Sequence, residues 1–135
     1  MTYLDTNILI YALCKNVDNE EQKIISQNIL REAVKNKELL LSEVILYEYA
    51  FVAKKLREEE TVINDNLNFL INFCQHVNEI EKEVIQLMSQ TSTYKQSFDA
   101  YHISFCNHFN CKKIITFDVG FKKFKNISSV DIEIL

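Results

Sequence analysis

Thr2-Tyr3-Leu4-Asp5-Thr6-Asn7-Ile8-Leu9-Ile10, at the start of the chain, decides how the rest is read. A short apolar run delivers an acid, and Thr-Asn then opens a second apolar run with helical spacing. Physically this is a buried strand that ends in a carboxylate and passes at once into a helix, whose free amides Thr6 or Asn7 can cap. An acid at the carboxyl end of a buried parallel strand lies in the crevice where open α/β sheets bind ligands. A single such acid is most often a turn or cap residue. Function therefore depends on whether later elements bring other groups to meet it.

Outward from that stretch, Ile8 to Cys14 continues as a short apolar helix. Asp18-Asn19-Glu20-Glu21 opens a second helix with acids near its positive end, and Ile24, Ile25, Ile29, Leu30 and Val34 carry it towards Asn36-Lys37. Leu39-Leu40-Leu41 is wholly apolar, as a buried parallel strand should be. Ser42 caps the next helix, which sets Glu48 inside a stripe of Ile45, Phe51 and Val52. Glu58-Glu59-Glu60 reads as a solvated turn, Asn64 to Phe73 as a helix and His76 to Ile80 as a weak third strand. A helix over Glu81 to Ser89 and a polar break at Thr91 to Tyr94 precede a helix from Ser97 or Phe98 to Phe109. The Lys113–Phe117 strand ends in Asp118, Phe121 to Phe124 forms a single turn, and Val130 to Ile134 alternates like an edge strand. Short buried strands alternating with helices specify an α/β protein. The expectation is one domain over residues 1–135, a three-layer α/β/α fold with a central parallel sheet of about five strands.

Composition narrows the function. The 135 residues are 47% hydrophobic and 25% charged, ordinary for a globular domain. With Gly120 the only glycine and no proline, Gly-rich phosphate loops are excluded. No apolar run approaches the roughly 18 residues that cross a bilayer, and the start lacks the basic residues of a signal peptide, so a cytoplasmic location and no membrane partner are expected. Cys14, Cys74, Cys106 and Cys111 then read as reduced thiols. A net charge of −4 argues against a surface-wide field for polyanions.

Four carboxylates stand out by context. Asp5 and Asp118 end strands, while Glu48 and Asp99 sit in helices with strongly apolar faces, Asp99 at a helix start. In a doubly wound sheet these positions gather at one edge. Carboxylates sharing a cleft repel one another unless a cation joins them, and oxygen-only ligation suits Mg²⁺ or Mn²⁺. Such a site binds phosphate oxygens and activates water for in-line attack on a phosphodiester. Thr6, Asn7 and Thr116 are placed to orient the acids or the water. Lys95, Lys113 and Lys122 flank the acids in sequence and are candidates to contact the phosphates of such a substrate. Phe121 and Phe124 read as core anchors rather than base-stacking platforms. His102, Cys106, His108 and Cys111 lack a standard zinc spacing and read as packing or helix-end residues.

Over nearly its whole length the chain resembles the PIN-domain ribonucleases, most closely the small VapC-like toxins of bacterial toxin–antitoxin pairs. The motifs that carry the resemblance are Tyr3-Leu4-Asp5-Thr6-Asn7-Ile8-Leu9-Ile10, Leu41-Ser42 followed by Glu48, Phe98-Asp99-Ala100-Tyr101-His102-Ile103, and Ile115-Thr116-Phe117-Asp118 with Phe121. The resemblance implies that Asp5, Glu48, Asp99 and Asp118 hold one or two Mg²⁺ or Mn²⁺ ions, with Thr116 or Thr6 as the supporting hydroxyl. It also implies endonucleolytic cleavage of RNA, a cognate protein antitoxin and a homodimer. Phe117 and Val119-Gly120 depart from the usual polar neighbours of the last acid. The alternatives are a catalytically silent RNA- or protein-binding relative and a phosphoacceptor signalling domain. The second needs an Asp after the central strand, where the Val77–Ile80 segment offers only Glu79.

Overall fold

A computed structural model describes residues 1–91 and 97–135. Four strands, β1 (Thr2–Leu4), β2 (Leu39–Leu40), β3 (Lys113–Thr116) and β4 (Asp131–Ile134), form one sheet of order β2-β1-β3-β4 with every pairing parallel. Its register sets Tyr3 opposite Leu40 on one side and Ile114 on the other. Among the described residues, six α-helices flank the sheet: α1 (Thr6–Leu13), α2 (Glu20–Lys35), α3 (Glu43–Lys55), α4 (Glu60–Leu70), α5 (Glu81–Thr91) and α6 (Ser97–His108). This is the three-layer α/β/α arrangement expected from the alternation of short apolar runs and amphipathic stretches.

Among the described residues the sheet has four strands rather than the expected five. His76 to Ile80 is not a strand. The chain instead touches the sheet once, through a parallel bridge between Leu41 and Cys74, beyond the end of β2. Only Ile80 of the 76–80 run is buried, so the segment has no continuous apolar face to hold it in register. Two readings of single residues also change. Glu58 is buried rather than solvated, because its carboxylate accepts the Lys15 amide at 2.9 Å. Phe51 projects from α3 into solvent, while Ile45 on the same helix is fully buried.

The core packs around β1 and β3. Tyr3, Leu4, Ile114, Phe105 and Phe121 are completely buried, with Ile8, Leu9, Leu40, Leu41 and Ile45 closing over them. Phe124 is buried too, so both late phenylalanines are core anchors. Ser42 does cap α3, its hydroxyl accepting the Ile45 amide at 3.3 Å.

Because the chain has almost no glycine, its helix stops are made by other residues. Lys37, Arg57 and Asn110 follow α2, α3 and α6 with φ of 56°, 62° and 52°, a left-handed conformation that β-carbons disfavour. Each stop closes its helix with a bond back to it, as in Glu38 N to Ala33 O at 2.9 Å. Lys37→Gly removes that strain, and thermal denaturation should show the protein stabilised by about 0.5–1 kcal/mol.

Candidate active site

β1 and β3 lie side by side, and the chain leaves β1 towards β2 on one side and returns at β3 on the other. That reversal opens a crevice at their carboxyl ends. Asp5 stands at the end of β1, its amide still paired with the Ile115 carbonyl at 3.0 Å. It is 7% exposed. Its carboxylate, rather than Thr6 or Asn7, caps α1: Oδ1 accepts the Thr6 amide at 2.8 Å.

That capping leaves Asn7 free to reach across to β3. Its amide donates to Asp5 Oδ2 at 3.2 Å and to Thr116 Oγ1 at 3.1 Å, and its Oδ1 accepts the Phe117 amide at 3.2 Å. The Thr116 hydroxyl donates to Asp5 Oδ2 at 2.7 Å and accepts the Asp118 amide at 2.9 Å. Thr116 is thus saturated, and Asp5 has both oxygens fixed. Burial pushes the Asp5 carboxyl above its ordinary pKa, against the opposing pull of the Thr116 and Thr6 hydrogen bonds. The Thr6 hydroxyl is buried with no hydrogen-bond partner among the described residues.

Asp118 is exposed and opens a 3-10 turn over Val119–Phe124, where its Oδ1 accepts the Gly120 amide at 2.8 Å. A β-carbon at position 120 would lie 3.0 Å from that oxygen, which is why the chain's one glycine stands here. Asp99, in the first turn of α6, is half-buried. Its pKa is raised from 3.8 to about 7, first by burial and then by the charges of Asp5 and Asp118. Glu48 lies in α3, and its Oε1 is hydrogen-bonded to His102 Nε2 at 2.8 Å.

A cavity of about 270 Å³ is lined by Asp5, Glu48, Asp99 and Asp118 together with Thr6 and Asn7, with Ile10, Tyr11 and Val52 as its apolar wall. Four elements from across the chain therefore deliver an acid to one place. Among the described residues, no three His, Cys, Asp or Glu side chains stand close enough to hold one ion as placed. Three of the acids are tethered to protein donors instead: Asp5 to Thr6, Asn7 and Thr116, Glu48 to His102, and Asp118 to the Gly120 amide. The donor chemistry, all oxygen and mutually repulsive, fits a hard divalent cation.

Other candidates fall elsewhere. Lys113 opens β3 at the amino edge of the sheet, roughly 10 Å along the strand from Thr116, and pairs with Glu133 at 3.1 Å. It is not brought to the cavity. Lys122 is exposed on the 3-10 turn that follows Asp118. Lys95 lies outside the described residues. His108 is exposed while Cys106 and Cys111 are buried. His102, Tyr3 and Ser42 read from the sequence as packing, strand and cap residues, yet they form a buried chain behind Glu48, with the Tyr3 hydroxyl 2.5 Å from His102 Nδ1 and 2.7 Å from Ser42 Oγ. The available signal was the offset of three residues from Asp99, which puts His102 on the same helix face. Beside the cavity, and sharing Glu48 and Val52 with it, runs an apolar trough lined by the exposed rings of Tyr47, Phe51 and Phe98.

Among the described residues no helix is long and apolar enough to cross a membrane. No curated protein matches this chain. Residues 2–127 match the family model of the PIN domain, and the chain belongs to the PIN-domain family, whose members are in general metal-dependent nucleases.

Proposed function

We propose that the protein is an Mg²⁺- or Mn²⁺-dependent endoribonuclease, working as the toxin of a toxin–antitoxin pair. The observation that carries this reading is the cavity at the carboxyl ends of β1 and β3, where Asp5, Glu48, Asp99 and Asp118 converge. These four would hold the cation, with Thr6, Asn7 and Thr116 around them. A bound ion of this kind polarises a phosphoryl oxygen and lowers the pKa of its water.

The chain's own residues supply the rest. Thr116, Asn7 and the Thr6 amide fix the Asp5 carboxylate in one orientation, so little reorganisation is left for the moment of reaction. Asp99, its pKa raised to about 7 by burial and by the charges of Asp5 and Asp118, would hold the cation as a carboxylate and would have to give up any proton it carries to do so. The hydrophobic wall of Ile10 and Val52 limits water on one side of the cavity. Lys122, exposed on the 3-10 turn that Asp118 opens, would meet an RNA phosphate. A second copy of the chain and a cognate antitoxin are the protein partners of this reading, which places the protein in the cytoplasm. The exposed rings of Tyr47, Phe51 and Phe98 are the surface that supports a protein partner.

Two measurements test it together. Mg²⁺ or Mn²⁺ should raise the melting temperature, and the same ions should switch on cleavage of a single-stranded RNA that chelator switches off. Cleavage undiminished in chelator, or a melting temperature indifferent to both ions, removes the reading.

A further inference from the structure

We infer that His102 is the positioning residue for Glu48, held in one tautomer by Tyr3 and Ser42 and donating from Nε2 to the acid at the cavity wall. This rests on the reading of the cavity as a cation-dependent nuclease site. Three elements that are far apart in sequence meet in the relay: Tyr3 of β1, His102 of α6 and Glu48 of α3, with Ser42 as the cap of α3. Tyr3 and Ser42 are fully buried, and His102 is 1% exposed. The Tyr3 ring also packs against the His102 ring at 5.4 Å and against Phe105 at 5.6 Å, so the imidazole cannot swing away without disturbing the core.

Hydrogen-bond counting fixes the direction of the relay. Ser42 Oγ already accepts the Ile45 amide, and its own hydrogen needs an acceptor. Donation from Ser42 to the Tyr3 oxygen, from the Tyr3 hydroxyl to Nδ1 and from Nε2–H to Glu48 Oε1 satisfies every group. In the opposite direction Nδ1 would donate to Tyr3 and Tyr3 to Ser42, leaving the Ser42 hydrogen with no acceptor among the described residues. An orphaned polar group this deeply buried is costly. The relay therefore has Nδ1 accepting from Tyr3 and the Nε2 hydrogen directed at Glu48.

The consequence is a Glu48 that is held before any ligand arrives. A free glutamate side chain loses rotamer freedom when it is immobilised. Here the imidazole has already fixed one carboxylate oxygen, and the other has no protein donor among the described residues. Asp99 and His102 share one face of α6, so a single helix supplies one acid of the cavity and orients another. Supporting contacts of this sort tune affinity at a metal site without touching the metal.

The test reads binding as well as turnover. Mn²⁺ affinity is measured by titration calorimetry, and kcat and KM are measured on a single-stranded RNA. His102→Leu should weaken Mn²⁺ binding by about 10–100-fold and lower kcat by a similar factor, with KM for RNA within about twofold. Tyr3→Phe keeps the ring packing and removes only the hydroxyl, and it should show the same pattern in a smaller degree. His102→Gln, whose amide can still donate towards Glu48, should recover most of the Mn²⁺ affinity. If His102→Leu is too unstable to study, Tyr3→Phe and His102→Gln carry the test. Nitrogen-15 spectra of the wild-type imidazole should show Nδ1 without a hydrogen and Nε2 carrying one, and a hydrogen on Nδ1 overturns the assignment. Folded variants that bind Mn²⁺ as tightly as wild type, while wild type binds and cleaves, overturn the role of His102 alone. Wild type that neither binds Mn²⁺ nor cleaves RNA overturns both readings.

Discussion

Asp5→Asn should abolish RNA cleavage while leaving the fold in place. The side chain that replaces Asp5 keeps an oxygen for the Thr6 amide, so the cap of α1 survives. What it loses is the second carboxylate oxygen, which now takes the Thr116 hydroxyl and the Asn7 amide. Against that loss, of order 1 kcal/mol for a hydrogen bond, the variant no longer buries an acid whose ionised form is disfavoured by desolvation. The two effects oppose, and the melting temperature without metal should stay within a few degrees of wild type. Catalysis has no such compensation. Asp5 is the most buried acid of the cavity and the one most completely oriented, and neutralising it removes the charge about which the other three acids are arranged. A fall of about a thousandfold or more in kcat/KM is expected, about 4 kcal/mol in the barrier. The rise in melting temperature with Mn²⁺ should shrink with it. A folded Asp5→Asn protein that cuts RNA at the wild-type rate would exclude a cation site centred on Asp5.

The sequence makes some of this arrangement visible because parts of it are local. An apolar run ending in an acid, at Tyr3-Leu4-Asp5 and again at Ile114-Ile115-Thr116-Phe117-Asp118, marks both the strand and the residue at its end. Sheet order and strand count are not local. β2 has two residues, and the stretch expected as a third strand meets the sheet at one bridge, Leu41 with Cys74. Whether such a run pairs depends on neighbours that the run does not encode. Lys113 shows the opposite error of proximity. It lies close to Asp118 in sequence, but a strand carries its two ends to opposite edges of the sheet, so nearness along the chain becomes distance in space. Asn7 was placed for its chain position and does its work through Thr116 and Phe117, on a strand more than a hundred residues away. The His102–Glu48 bond has no sequence signature for the same reason: its partners are separated by 54 residues, and a histidine on an apolar face reads as core.

Asp99→Asn should reverse the usual relation between an active-site substitution and stability. In the wild type without metal, the folded state holds a proton on Asp99 up to pH about 7, whereas the unfolded chain releases it near 3.8. Folding therefore takes up a proton between these values, so the protein loses stability as pH rises through the window. The cause is the ionised carboxylate half-buried beside Asp5 and Asp118. Asparagine carries no such charge. Below pH 4 the two proteins should be alike, and at pH 8 without metal the variant should be the more stable. The shift in pKa sets an upper bound, and the part of the side chain open to water screens the repulsion. A gain of about 1–2 kcal/mol is expected, or a melting temperature higher by about 4–8 °C. Addition of Mn²⁺ at pH 8 should invert the order, because the cation offsets the repulsion in the wild type and has one carboxylate fewer to bind in the variant. Cleavage should be lost at every pH. Melting curves at pH 4 and pH 8, each with and without Mn²⁺, decide the matter. A variant less stable than wild type at pH 8 without metal would show that Asp99 does not carry a repelled charge in the cavity. A crossing of the two proteins on addition of metal ties the instability of the empty site to the group that binds there.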